Sequence, residues 1–165
     1  MKRLLAACCL VVAGLATSGG STAVAAPAHV SITGTQVVNV ALQFQGFPYR
    51  ATDGNAVLGF SSLGFVRYIY KTLGIALPNN LKQLLHSAPL VKQDQLQPGD
   101  LVFFKNTVHK GLSHVGIYVG NGTFIHAEWY GLGVRVTSFT NDSHDGNYWP
   151  GRFQAANRPL GISSN

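Results

Sequence analysis

Apolar and polar positions divide the chain into a helical first half and a stranded second half. From Thr35 to Phe44 the apolar residues Val37, Val38, Ala41 and Leu42 recur at helical spacing, which predicts a helix ending before Gly46. Gly46-Phe47-Pro48-Tyr49 breaks it, and Arg50 to Leu58 reads as a loop carrying Asp53-Gly54-Asn55. The clearest helix runs from Ser61 to Leu73, with Phe65, Val66, Ile69 and Leu73 as its apolar stripe. Ser61 supplies an N-cap and Gly74 a stop. Ser62 lies in line with Phe65, Val66 and Ile69, so its side chain points toward the rest of the fold. A shorter helix, Asn79 to His86, follows Pro78.

Strand patterns take over from Leu96. Gln97-Pro98-Gly99-Asp100 is a turn, and Leu101-Val102-Phe103-Phe104 a short buried strand. Ser113 to Val119 and Thr123 to Ala127 flank Gly120-Asn121-Gly122, a strong hairpin signal. Val134 to Thr137 adds a strand, and Arg152 to Ala156 closes the sheet. Helices followed by antiparallel strands predict an α+β domain, with N-terminal helices packed on an antiparallel β-sheet.

The first residues change the picture of what is folded. Lys2 and Arg3, the apolar run Leu4 to Leu15 and the small-residue stretch ending in Ala23-Val24-Ala25 have the three-part anatomy of a secretory signal. Residues 1–25 are expected to be removed on export, 26–36 to form a flexible start and 37–160 to fold as one domain. Cys8 and Cys9 leave with the signal, so the mature chain has no thiol, no disulfide and no thiolate ligand. Loss of Lys2 and Arg3 lowers the net charge from +6 to +4. Such a chain is drawn to anionic envelope polymers. Its basic residues are scattered without aromatic partners, which argues against nucleic acid. No transmembrane segment is expected in the mature chain.

The hairpin carries the candidate chemistry. Strand alternation puts His114, Gly116 and Tyr118 on one face. A three-residue loop would set His126 opposite Gly116 on the same face as His114, whereas a two-residue loop would put the histidines on opposite faces. Gly116 opposite His126 would leave room above the backbone. Glu128 is read as pointing away from that face and receives no role. The other histidines and acids show no ligand-like spacing with the pair, so neither metal nor cofactor is expected. Trp129, Tyr130, Tyr148 and Trp149 could rim a site, with ordinary packing on the sheet as the competing reading.

At this point the residues resemble a known family. Ser113-His114-Val115-Gly116-Ile117-Tyr118-Val119-Gly120-Asn121-Gly122, followed by Phe124-Ile125-His126-Ala127, looks like the hallmark hairpin of the NlpC family of papain-like cell-wall endopeptidases. Gly46-Phe47-Pro48-Tyr49-Arg50, Gly64-Phe65-Val66-Arg67-Tyr68, Gly74-Ile75-Ala76-Leu77-Pro78 and Leu96-Gln97-Pro98-Gly99-Asp100-Leu101 resemble further motifs in the family's order. The resemblance implies a cysteine nucleophile at a helix N-terminus, where the dipole favours thiolate. It also implies His114 as base, His126 as its orienter, Tyr49 lining the cleft, and hydrolysis at D-γ-glutamyl–diamino acid bonds of peptidoglycan stems.

The pattern breaks at the nucleophile. Where the family has Asp-Cys-Ser-Gly, this chain has Ser61-Ser62-Leu63-Gly64. Ser62 takes the cysteine's place, and Ser61 and Leu63 replace the Asp and Ser that help bind the stem's free amino end. A hydroxyl is a far weaker acid than a thiol, and a helix dipole does not ionise it. Three readings follow. The chain is an impaired relative that holds a stem peptide or an envelope protein partner; or a hydrolase using Ser62 with His114 and His126; or a structural envelope protein with a filled cleft.

Overall fold

The computed structural model describes residues 31–51, 55, 57–129, 131–139, 148–159 and 162–163. The expected signal segment, residues 1–25, lies outside the described residues, as do Asp53, Tyr130 and the polar stretch 140–147.

Three helices precede the main strands: α1 (Gly34–Leu42), α2 (Ser62–Thr72) and α3 (Leu81–Leu85). The strands are β1 (Ile32–Thr33), β2 (Leu90–Val91), β3 (Leu101–Lys105), β4 (Leu112–Gly120), β5 (Thr123–Glu128), β6 (Gly133–Ser138), β7 (Phe153–Asn157) and β8 (Ile162–Ser163). Six of them form an antiparallel sheet in the order β2-β7-β3-β4-β5-β6. This is the α+β architecture that the sequence predicts. The short β1 pairs in parallel with β8, a contact between distant parts of the chain that no local pattern announces.

Residues 32–36, read as part of a flexible start, form β1 and the first turn of α1. Thr33 caps α1: its hydroxyl accepts from the Gln36 amide, and the Gln36 side chain accepts from the Thr33 amide. Helix α2 starts as expected, with the Ser61 hydroxyl accepting from the Gly64 amide at 3.0 Å. It ends in a Schellman turn: Gly74 adopts φ +82°, its amide bonds Lys71, and the Ile75 amide bonds Tyr70.

The apolar stripe of α2 sets the core. Phe65, Val66 and Ile69 are fully buried in one cluster with Val37 and Ala41 of α1 and with Phe103, Val115, Ile117 and Ile125 of the sheet. The sheet's reverse face carries a second cluster of Val102, Phe104, Phe124, Phe139, Trp149 and Ala156. Helix α2 is also tied to the turn before β3. The Tyr70 hydroxyl donates to the Gly99 carbonyl, and Asp100, 1% exposed, takes two hydrogen bonds from Arg158 and one from the Gln97 amide. A carboxylate so deeply buried is tolerable because its lone pairs are taken up by a guanidinium fork and a backbone donor.

Candidate active site

The histidines share a face by a route different from the one expected. The β4–β5 connection is the two-residue turn Asn121-Gly122, with both residues at positive φ (51° and 70°). Alone, that turn would put His114 and His126 on opposite faces. A register shift between Tyr118 and Gly120 restores the alternation, so that Tyr118 pairs with Phe124 and Ile117 with Ile125. A bulge inserts one residue on one strand and thereby inverts the side on which every later residue points.

His126 therefore comes to lie beside Gly116, and the space expected above that glycine is filled. A Cβ there would stand 2.8 Å from the Phe124 ring, 3.0 Å from the Ile125 carbonyl oxygen and 3.2 Å from His126 Cβ. The glycine admits the close approach of β5 rather than a ligand.

The two imidazoles meet directly, His114 Nε2 lying 2.8 Å from His126 Nδ1. The chain of polar atoms continues from His126 Nε2 to the Thr137 hydroxyl at 2.9 Å. Aromatic rings enclose it. Trp149 lies 5.2 Å from the His114 ring and 4.8 Å from that of His126, and Phe124 lies 4.8 Å from His126. His114 is 3% exposed and His126 0%. Burial pushes the His114 pKa down to about 3. Burial also holds His126 well below the usual imidazole range, with repulsion from His114 and from Arg135 adding to it. Both rings are neutral at pH 7.

Two of these partners were not legible as site residues. Of the two readings of Trp149, packing on the sheet holds: it is buried and walls the histidine pair. Glu128, read as pointing away, has its Oε2 3.7 Å from His126 Nε2 and 2.9 Å from Arg135 Nη1. The correction has a plain cause: residues two apart on a strand share a face, so Glu128 follows His126 on the same side. Period two was the signal that could have found it.

Ser62, at the head of α2, is 8% exposed. Among the described residues its hydroxyl forms no hydrogen bond with His114. Ser61 serves as the helix cap. Leu63 is half-buried against the main core, as is Tyr49, which bridges to Phe60 and whose phenol pKa burial raises. Thus the structure joins His114 to His126, and gathers Tyr49, Ser61, Ser62 and Leu63 around the start of α2.

Known proteins resemble the chain in sequence and fold. The NlpC/P60 family pattern matches residues 46–158. Murein DD-endopeptidase MepH of Escherichia coli (strain K12) is 33% identical over 146 residues, which are 87% of this chain and 52% of that protein. The chain therefore spans about half the length of that relative. The crystal structure of an NlpC/P60 family protein from Bacillus cereus ATCC 10987 aligns with a TM-score of 0.69 at 27% identity, over 79% of this chain and 41% of that one. RipD of Mycobacterium tuberculosis, described with its structure as a non-catalytic NlpC/p60 domain protein adapted to peptidoglycan binding, shares the fold. Its TM-score is 0.58 at 22% identity, over 77% of this chain and 97% of that one. With its hairpin, its helix motif and more than half its length matched, this chain belongs to the NlpC/P60 family.

Proposed function

We propose that the protein is exported and binds peptidoglycan stem peptides, with hydrolysis lost or greatly weakened. The reading rests on the residue at the nucleophile position, which is Ser62 and not a cysteine. A cysteine there could share its proton with imidazole as a thiolate–imidazolium pair. A serine needs a base that takes its proton during attack, and an imidazole whose pKa is held to about 3 is a poor one. The exchange of the neighbouring acid and hydroxyl for Ser61 and Leu63 removes groups that the family resemblance assigns to ligand recognition, so the bound stem is held by fewer charged contacts. The non-catalytic, peptidoglycan-binding RipD is a precedent for such a role in this fold. Export rests on the Lys2-Arg3 start, the apolar run and Ala23-Val24-Ala25.

A second reading has its own support. The His114–His126–Thr137 chain is intact, which a pure binding protein does not require. It would make Ser62 the nucleophile of a slow endopeptidase.

Incubation with purified muropeptides, followed by mass spectrometry, separates the two. Stems retained on the protein but uncut support the binding reading. Cleavage that disappears in Ser62→Ala overturns it in favour of the hydrolase. Ser62→Cys is expected to cleave stems above the wild-type level. Neither binding nor cleavage would point to the structural role with a filled cleft.

A further inference from the structure

The Glu128–Arg135 pair, its carboxylate buried and its guanidinium half-buried, sits at the end of the histidine chain, and nothing in the reaction as outlined requires it. Glu128 is 4% exposed, and its carboxylate meets the Arg135 guanidinium at 2.9 Å. In that pair the carboxylate oxygens accept hydrogen bonds and donate none.

Neutral imidazole has one N–H and one lone pair, and the pair of rings has two self-consistent arrangements. In the first, His126 carries its proton on Nε2 and donates to Thr137 Oγ1. Its Nδ1 then accepts from His114 Nε2–H, and His114 Nδ1 is left with a lone pair. In the second, the Thr137 hydroxyl donates to His126 Nε2, His126 Nδ1–H donates to His114 Nε2, and His114 Nδ1 carries a proton. The distances of 2.8 and 2.9 Å serve either arrangement equally. Glu128 breaks the tie. An Oε2 at 3.7 Å from His126 Nε2 attracts an N–H at that atom and repels a lone pair. At low local dielectric, that preference passes through the 2.8 Å contact to the second ring.

We infer that Glu128, held by Arg135, is a positioning residue that fixes both histidines as Nε2–H tautomers, so that His114 offers a lone pair at Nδ1. The site then accepts hydrogen bonds at that atom and gives none. It suits a donor such as an amide N–H, an ammonium or a hydroxyl, and disfavours a carboxylate. This statement about donors rests on the stem-binding proposal; the tautomer statement does not.

Long-range nitrogen–proton spectra of the 15N-labelled protein at pH 7 read the tautomers with no ligand and no turnover. Both rings are expected to show Nδ1 in the unprotonated range and Nε2 in the protonated range. Glu128→Gln is expected to move both rings together toward a mixture of tautomers, while backbone amide spectra elsewhere hold still. Glu128→Ala, which removes the carboxylate altogether, is expected to shift them the same way, and it serves if the Gln variant does not fold. Wild-type rings protonated at Nδ1 would overturn the inference. So would a folded Glu128→Gln or Glu128→Ala protein with unchanged ring nitrogens. Failure of stem binding alone would leave these spectra, and the tautomer assignment, untouched.

Discussion

One sheet carries two faces of opposite character. Toward α1 and α2, strands β4 and β5 present Val115, Ile117, Ile125 and Ala127, all fully buried and all apolar. On the reverse, the intervening residues of the same strands include His114, His126 and Glu128, equally enclosed but polar. The first face gains stability from every buried carbon. The second gives up some of that gain, because burying a group that would otherwise be charged is costly unless its hydrogen bonds are met. It recovers part of the loss with aromatic rings: Phe104, Phe124 and Trp149 lie within 5.2 Å of one another, centroid to centroid. Stability and chemistry are thus separated by one residue of strand alternation.

The largest effect is expected on the apolar side. Phe65→Ala empties a fully buried ring site beneath the sheet and is expected to cost about 3–5 kcal/mol, read from denaturant unfolding. Its prediction for the reverse face is specific: in the variant that still folds, the ring nitrogens of His114 and His126 keep their wild-type signals.

Gly116→Ala attacks the polar side. The added methyl would press on the Phe124 ring, the Ile125 carbonyl and His126 Cβ. A loss of about 1–3 kcal/mol is expected, as for overpacking elsewhere. Unlike Phe65→Ala, it should disturb the His114–His126 contact, visible in the imidazole signals. A variant with full stability and unchanged ring signals would show that the two strands are less tightly apposed than described.

Acid sharpens the contrast. Both histidine pKa values are depressed in the folded state, to about 3 for His114. The unfolded chain therefore binds more protons below the unperturbed value of about 6.5, and stability falls as the pH drops from there toward 3. The expected slope approaches about 1.4 kcal/mol per pH unit for each histidine once its unfolded form is protonated. Unfolding curves from pH 7 to 4 on wild type and His114→Gln measure it, and the variant should show the shallower dependence. Equal slopes would mean that His114 is not held neutral.

The smallest effect is local. Ser61→Ala removes the cap of α2 and should cost about 1 kcal/mol in thermal unfolding. Neither histidine should respond, since the cap belongs to the helix side of the comparison.

Much of this was legible along the chain. Helix α2 was read with its Ser61 cap, its Gly74 stop and its apolar stripe, because each depends on residues within about one turn of one another. The α+β order, the family motifs and the serine at the nucleophile position were equally plain. Missed were the pairing of β1 with β8 and the contact of Trp149 with the histidine pair. The β1–β8 pairing and the Trp149 contact join segments far apart in sequence, and composition carries no record of them.

The hairpin marks the boundary between the two kinds of knowledge. Sequence alone determined that two histidines, a glycine and a tight turn stand on neighbouring strands, and that serine replaces the family's thiol. Tertiary structure decided which way the histidines face. Turn length would have separated them, and the bulge between Tyr118 and Gly120 brought them together. Alternation is a local rule of period two, whereas a bulge is selected by how the whole strand must pack, with Ile117 and Ile125 against the helices and His114 and His126 beneath Trp149.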